Sequence, residues 1–510
     1  MAAMESEKRT TGKVPQQSRP RFSSSSYDPG AHSEPNALDF SNIVEDKLWK
    51  PIIWCPANFP PELFEIAIAQ LVHHPEYNST LILRSESLAE TTADFPSRVP
   101  SLRGFRAVRS VHRRLLPRRP GRDAGLEQHC TLYSTAVAED QPVSVLVLTP
   151  IPNDGGSLPY YHPAVFHLAF RYIVDETPVL RIEVVPLPST PTDVDSRLYR
   201  TCLALLETLH RYGWGALTNY KKRVVHDFIV PREPYQDLYL VMRERHKHLD
   251  VGIATFLMLL WKDMYSPTSD DPARIDDLEG EPWKKWPRPP AGFVDIGCGN
   301  GLLAHILVSE GYAGHGIDLR ARTSWSHYPP STQAQLHVEA IDPTTLVDLP
   351  HTSHPYFRPG VFIIGNHSDE LTPWVPIIST MCSASGYISI PCCAWTFDSR
   401  YDRSRTPGFP VTEENFVQSL HLGGDGSNAS SYSMYRIWLA SLSLFCGWKV
   451  ECETLRIPST RNWALVGRGR TSHDADQIAE FERRMREIIA NVQARGLFKT
   501  RTPEGKIGDH

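Results

Sequence analysis

Asp295, Gly297, Gly299, Gly301 and Asp318 are the residues of this sequence whose types and spacing point most directly to chemistry. Three glycines at alternate positions remove Cβ atoms where a backbone must turn sharply and come close to a ligand. An acid two residues before the first glycine repels a pyrophosphate and attracts an ammonium group. The nucleotide bound there should therefore carry an amino acid. Asp318 closes the next apolar stretch, where a carboxylate accepts hydrogen bonds from both hydroxyls of a ribose. With Cys298 and Asn300 between the glycines, the set describes an S-adenosylmethionine site better than one for NAD or FAD. A dehydrogenase-type dinucleotide fold and a purely structural glycine turn are the rival readings.

These residues need a strand, a turn, a helix and a second strand to hold them. Phe293, Val294 and Ile296 form a short apolar run fit for a buried parallel strand. Leu302, Leu303, Ile306 and Leu307 follow at helical spacing, and Gly311 closes that helix. Further strands are expected at 337–341, with Asp342 at its end as a partner for an adenine amino group, and at 361–364, 387–391, 448–455 and 463–466. Helices are expected at 431–445 and about 474–495. The layout matches a class I (Rossmann-like) methyltransferase, an α/β fold with a reversed last hairpin. Ligands of open α/β sheets lie beyond the carboxyl ends of the strands, so Gly365–Trp374 should border the site. Asn366, His367, Asp369 and Glu370 are its polar cluster. Ser368 or Asp369 capping a helix is the bland alternative.

Across the whole chain, 510 residues with 41% hydrophobic and 22% charged content read as a soluble globular protein of two to four domains. The 53 basic and 58 acidic residues give a net charge of −5, so any nucleic-acid surface must be local. The nine cysteines include no CxxC pair and no Cys/His cluster with zinc-ligand spacing, so they read as reduced thiols and no metal is expected. No secretory signal is visible, and the longest apolar run, Val251–Trp261, is too short to span a bilayer.

Residues 1–40, rich in Ser, Pro, Lys and Arg, should be disordered. Residues 41–215 read as an N-terminal α+β domain with helices near 60–74 and 196–212 and strands at 80–83, 143–148, 165–174 and 178–185. Residues 216–290 read as a basic helical segment and linker, 291–470 as the methyltransferase domain, and 471–510 as a C-terminal helix and tail. Two stretches suit RNA, because arginine forks onto phosphate and aromatic rings stack on bases. One holds eight arginines between Arg103 and Arg122; the other runs from Tyr220 through Lys221, Lys222, Arg223 and His226 into a long helix that begins with Arg243–His248 and ends at Trp261. A solvated loop and a solvated helix face are the respective alternatives.

Phe293–Leu303, Ser309–Tyr312, Gly316–Arg322 with Trp325, Gly365–Leu371, Tyr235–Tyr239 and Pro458–Trp463 resemble the eukaryotic tRNA (uracil-2′-O-)-methyltransferases that modify uridine-44 of serine tRNA. The resemblance implies S-adenosylmethionine as methyl donor, a ribose 2′-hydroxyl as acceptor, tRNA as partner and a cytoplasmic location. Several other ribose methyltransferases use a Lys-Asp-Lys-Glu tetrad. This chain departs from it, since Lys449 is the only lysine between Phe293 and Arg470. Asp369 or Glu370, with Asn366 beside them, is therefore expected to accept the hydroxyl proton, while Arg320, Arg322 or Arg461 grips phosphate. A protein or small-molecule methyltransferase, or a non-catalytic RNA-binding member, remains open.

Overall fold

The computed structural model describes residues 18–27, 37–42, 47–137, 141–152, 157–220, 224–247, 251–266, 281–346, 354–423 and 430–499. Contacts divide the chain into two units, Met1–Lys221 and Lys222–His510.

The first unit is an antiparallel sheet of eight strands: β1 (Ser25–Ser26), β2 (Lys50–Pro56), β3 (Ile82–Thr91), β4 (Phe105–Pro117), β5 (Leu126–Thr135), β6 (Val143–Ile151), β7 (Val165–Ile173) and β8 (Val179–Pro186). Their spatial order is β1-β2-β8-β7-β6-β5-β4-β3. Alternation sends Leu146, Leu168 and Ile182 to one face, where helices α1 (Phe64–His73) and α2 (Arg197–Leu217) lay Ile68, Leu71, Leu206 and Leu209 on them. Val145, Val147 and Ala169 point to the other face, against Leu38, Phe40, Trp49 and Leu102.

Two expectations change here. Ser25 and Ser26 of the supposed tail pair with Ile53 and Trp54 of β2, because Phe22 beside them packs into the core; residues 1–17 lie outside the described residues. The arginine-rich stretch is largely a strand, β4, and its cations are mostly taken. Arg103 pairs with Asp39 at 2.9 Å, Arg109 with Glu65 at 2.8 Å and Arg114 with Glu127 at 2.7 Å. Buried Arg113 caps the end of α1 by donating to Leu71 O and holds Gln128 Oε1.

The second unit carries a seven-stranded sheet in the order β11-β10-β9-β12-β13-β15-β14. Strands β9 (Phe293–Ile296), β10 (Gly314–Asp318), β11 (Leu336–Val338), β12 (Phe362–Asn366) and β13 (Gly386–Ile390) are parallel. β15 (Trp463–Gly467) runs antiparallel to β13 and to β14 (Glu451–Thr454). Along β12, Phe362 and Ile364 face one core and Ile363 the other. Helices α3 (Arg232–Arg245), α4 (Gly252–Tyr265) and α5 (Leu302–Ser309) cover the first face. On the second face lie α8 (Trp374–Met381), α10 (Ser431–Phe445) and α11 (Ala475–Arg495); the short helices α6 (Pro330–Gln333) and α7 (Pro343–Leu346) precede α8, and α9 (Phe416–Ser419) precedes α10. No helix among the described residues is long and apolar enough to cross a membrane.

The expected long helix from Arg243 is two helices, α3 and α4, with 248–250 outside the described residues. Their side chains belong to the core of the second unit, not to a separate segment. At the end of α3, Arg245 Nε (3.0 Å) and His246 Nε2 (2.7 Å) donate to Glu310 Oε1, while Trp283 Nε1 donates to Glu310 Oε2 at 2.6 Å. Burial alone would raise the pKa of Glu310, but the His246, Arg245 and Trp283 bonds outweigh it and hold the carboxyl at about 2. Two of the supposed RNA contacts, Arg245 and His246, are thus spent inside the fold.

Candidate functional site

β9 is a central strand, with Asp295 paired in register to Gly316 on one side and Ile364 on the other. The chain then turns through Gly297 (φ 74°), Gly299 (φ 55°) and Gly301 (φ 74°), all left-handed, where an L side chain costs roughly 1–2 kcal/mol. Gly297 and Cys298 donate their N–H groups to Ile317 O at 2.8 and 3.0 Å, which ties the turn to β10. Gly299 N–H donates to Asp318 Oδ2 at 2.9 Å. The three glycines serve different ends. A Cβ at Gly299 meets nothing within 4 Å, so this position opens onto free space, whereas one at Gly301 lies 3.0 Å from Leu336 Cδ1 and 3.2 Å from Trp325 Nε1. Asn300 Oδ1 accepts from Leu302 N–H and starts α5.

The open space is a cavity of about 390 Å³ at the carboxyl ends of the parallel strands. Gly297, Cys298, Gly299, Asn300 and Asp318 line it from the glycine side, and Asn366, His367, Ser368, Asp369 and Glu370 from the end of β12. The sequence-predicted cofactor and catalytic groups therefore share one chamber, with three exceptions. Gly301 is outside the lining and turns toward Leu336 and Trp325. Asp295, 1% exposed, lies beneath the lining. Asp342 is not part of the wall either: its Oδ1 accepts from Thr344 N–H at 2.9 Å and Thr344 Oγ1 at 2.6 Å, which starts α7, and Glu339 and Ile341 face the cavity instead.

The 366–370 loop is strained. His367 (φ 57°) and Asp369 (φ 46°) are both left-handed without being glycine, a state costing about 1–3 kcal/mol each that tends to cluster at functional sites. No side chain caps the turn Asp369–Leu371, so the capping alternative for Ser368 and Asp369 is not realised. Asp369 Oδ1 instead accepts from the Cys392 thiol at 3.3 Å. Asn366 Oδ1 and His367 Nδ1 are buried without a hydrogen-bond partner, as is Asp295 Oδ1. Burial lowers the pKa of His367, the charge of Asp369 only partly opposing it, so the imidazole is neutral at pH 7.

Arg322 lines the cavity with its guanidinium 3.6 Å from Asp318 Oδ1, beside that carboxylate. Arg320 is exposed. Arg461, exposed as well, stacks 3.8 Å from the Tyr432 ring, whose hydroxyl donates to Pro391 O at 2.6 Å beside the loop after β13. Lys221, Lys222 and Arg223 lie outside the described residues. Sequence reasoning missed Glu339, Phe498 and Lys499, which complete the cavity. The apolar pair Leu497-Phe498 just after the helix-ending Gly496 was the signal for the last two.

A family model described as "TRM44-like, N-terminal bet v1-like domain" matches residues 23–223, and one described as "Predicted AdoMet-dependent methyltransferase" matches residues 281–343. A tRNA (uracil-O(2)-)-methyltransferase of Schizosaccharomyces pombe is 31% identical over 473 residues, covering 84% of this chain and 86% of its own. The chain belongs to the tRNA (uracil-O(2)-)-methyltransferase family. Members bearing the same name from Neurospora crassa and Saccharomyces cerevisiae are 31% and 29% identical, covering 83% and 80% of this chain and 87% and 84% of theirs. No solved structure matches. The eight-stranded unit is thus the family's bet v1-like domain, and the second unit its S-adenosylmethionine-dependent methyltransferase domain. The residues present fit that cofactor: Asp295 Oδ1 and Asn366 Oδ1 lack donors, Gly299 leaves room for a ligand, and Asp318 sits at the mouth of the glycine turn.

Proposed function

We propose that the chain is a class I, Rossmann-like enzyme that methylates the ribose 2′-hydroxyl of a tRNA uridine, uridine-44 of serine tRNA. The observation that carries this reading is the single cavity uniting the glycine turn with the strained loop after β12. The sheet order with its reversed β15 supports the fold assignment, and nine free cysteines support a reducing, cytoplasmic setting. S-adenosylmethionine, when bound, supplies a methyl group already activated by its sulfonium.

What remains for the protein is to place the hydroxyl in line and take its proton. We assign that proton to His367 Nδ1, ahead of Asp369 or Glu370. The imidazole is neutral, lines the cavity and has no other partner, so its Nδ1 can accept a proton in the tautomer that carries its hydrogen on Nε2. Asp318 holds ribose hydroxyls, and Asn366 orients the donor. His367→Asn suits the left-handed backbone and should lower the methylation rate about a hundredfold while cofactor affinity stays within about threefold. Equal losses of rate and of affinity, by single-turnover assay and calorimetry, would assign His367 to cofactor binding.

Arg320 and Arg461 remain as phosphate contacts. Arg461→Ala should weaken tRNA binding about fivefold and flatten its salt dependence by about one counterion, measured by filter binding across a salt series. For the reaction itself, labelled methyl should pass from S-adenosylmethionine to tRNA, with the label mapping to one uridine ribose. Label on protein, or on no RNA, would overturn the reading.

A further inference from the structure

Cys392 and Cys393 follow β13 after one residue, Pro391, and have no part in the chemistry above. β12 and β13 are parallel neighbours with Asn366 opposite Ile390, so the chain leaves both strands on the same side of the sheet. The left-handed turn after β12 presents Asp369 to the chain leaving β13. One carboxylate oxygen of Asp369 and the two sulfurs all lie within 4.8 Å of one another, and the Cys392 sulfur is 3.3 Å from Asp369 Oδ1.

Those separations suit a tetrahedral ion. Metal–sulfur bonds of about 2.3 Å and metal–oxygen bonds of about 2.1 Å at tetrahedral angles set sulfur and oxygen about 3.6 Å apart and the two sulfurs about 3.8 Å apart. Two thiolates select soft or borderline ions and reject magnesium and calcium. We propose that Asp369, Cys392 and Cys393 form a site for a thiophilic divalent cation of the zinc class, with water in the fourth position. Binding releases the two thiol protons to solvent and replaces the S–H···O bond between Cys392 and Asp369 with two metal–ligand bonds. The ion ties the loop carrying His367 to the exit of β13 through Asp369, which itself lines the cavity. The site rests on ligand geometry alone and holds whether or not His367 takes the proton.

The full chain, reduced and loaded with cobalt(II), should show the near-ultraviolet thiolate-to-cobalt charge-transfer band. After zinc loading and buffer exchange it should retain about one equivalent of metal, as a site of this ligand set does. Cys392→Ser with Cys393→Ser should abolish both signals, and Asp369→Asn should keep the band while weakening affinity at least about tenfold, or 1.4 kcal/mol. Absence of the band in wild-type protein with both thiols titrating as free would overturn the site, independently of how any variant folds. Equal zinc retention by the double serine variant would overturn it too.

Discussion

Asp295→Asn is expected to weaken S-adenosylmethionine binding about a hundredfold above pH 8, since removing one partner of a buried ion pair costs about 3 kcal/mol or more. The wild-type carboxyl is buried in the central strand, and burial, followed by the charge of Asp318, raises its pKa to about 7. A cationic amino group near Oδ1 reverses that penalty. Wild-type affinity should therefore climb as pH rises through 7, and the asparagine variant should show no such climb. The apo protein should respond in the opposite direction. Its unfolded chain gives up this proton near 3.8 and its folded chain near 7, so stability falls across that window as pH rises. Asparagine removes the fall, and the apo variant should gain about 1–3 kcal/mol above pH 8. A higher melting temperature together with weaker calorimetric binding cannot arise from misfolding. A wild-type affinity that is flat with pH would sink the assignment.

The second large effect separates two glycines by what surrounds them. Gly299 is left-handed and faces open cavity. Asparagine visits that backbone region readily, so Gly299→Asn should melt within a few degrees of wild type. Its side chain would occupy ligand space, and binding should fall on the order of a hundredfold, matching a clash of about 2.7 kcal/mol. Gly314 is different. A Cβ there would lie 2.3 Å from the ring of Phe293, itself 1% exposed between sheet and helix. Gly314→Ala should cost about 3 kcal/mol of stability and act on binding only through folding. Thermal melts with and without cofactor distinguish the pair, and similar melting temperatures for both would refute the argument.

The sequence was most legible where one residue type had one use. Alternating glycines between an apolar strand and an apolar helix left little choice, and the turn at Gly297–Gly301 formed where expected. The strands at 362–366, 386–390 and 463–467 were legible for the same reason: buried on both faces, they read as continuous apolar runs. β4 was missed because its apolar positions alternate with arginines whose acidic partners, Glu65 and Glu127, are distant in sequence or on the next strand. The helices α3 and α4 were read as one basic element because their anchor, Glu310, comes much later in the chain. Asp342 looked like an adenine partner by its place after a strand, but a Thr two residues on captured it. His367 stood in the right loop, yet its left-handed backbone and empty Nδ1 have no signature in composition.

Phe498 and Lys499 form part of the cavity wall that begins at Gly297, and Phe498, just past the end of α11, rests 5.7 Å from the Trp374 ring. The chamber is thus assembled from segments separated by most of the second unit's length. Contacts of such long sequence separation form late, because their loop-closure entropy must be met first. Binding competence should consequently appear after the bulk of secondary structure during refolding. A cofactor-dependent signal would then report completion of the whole domain, not formation of the glycine turn.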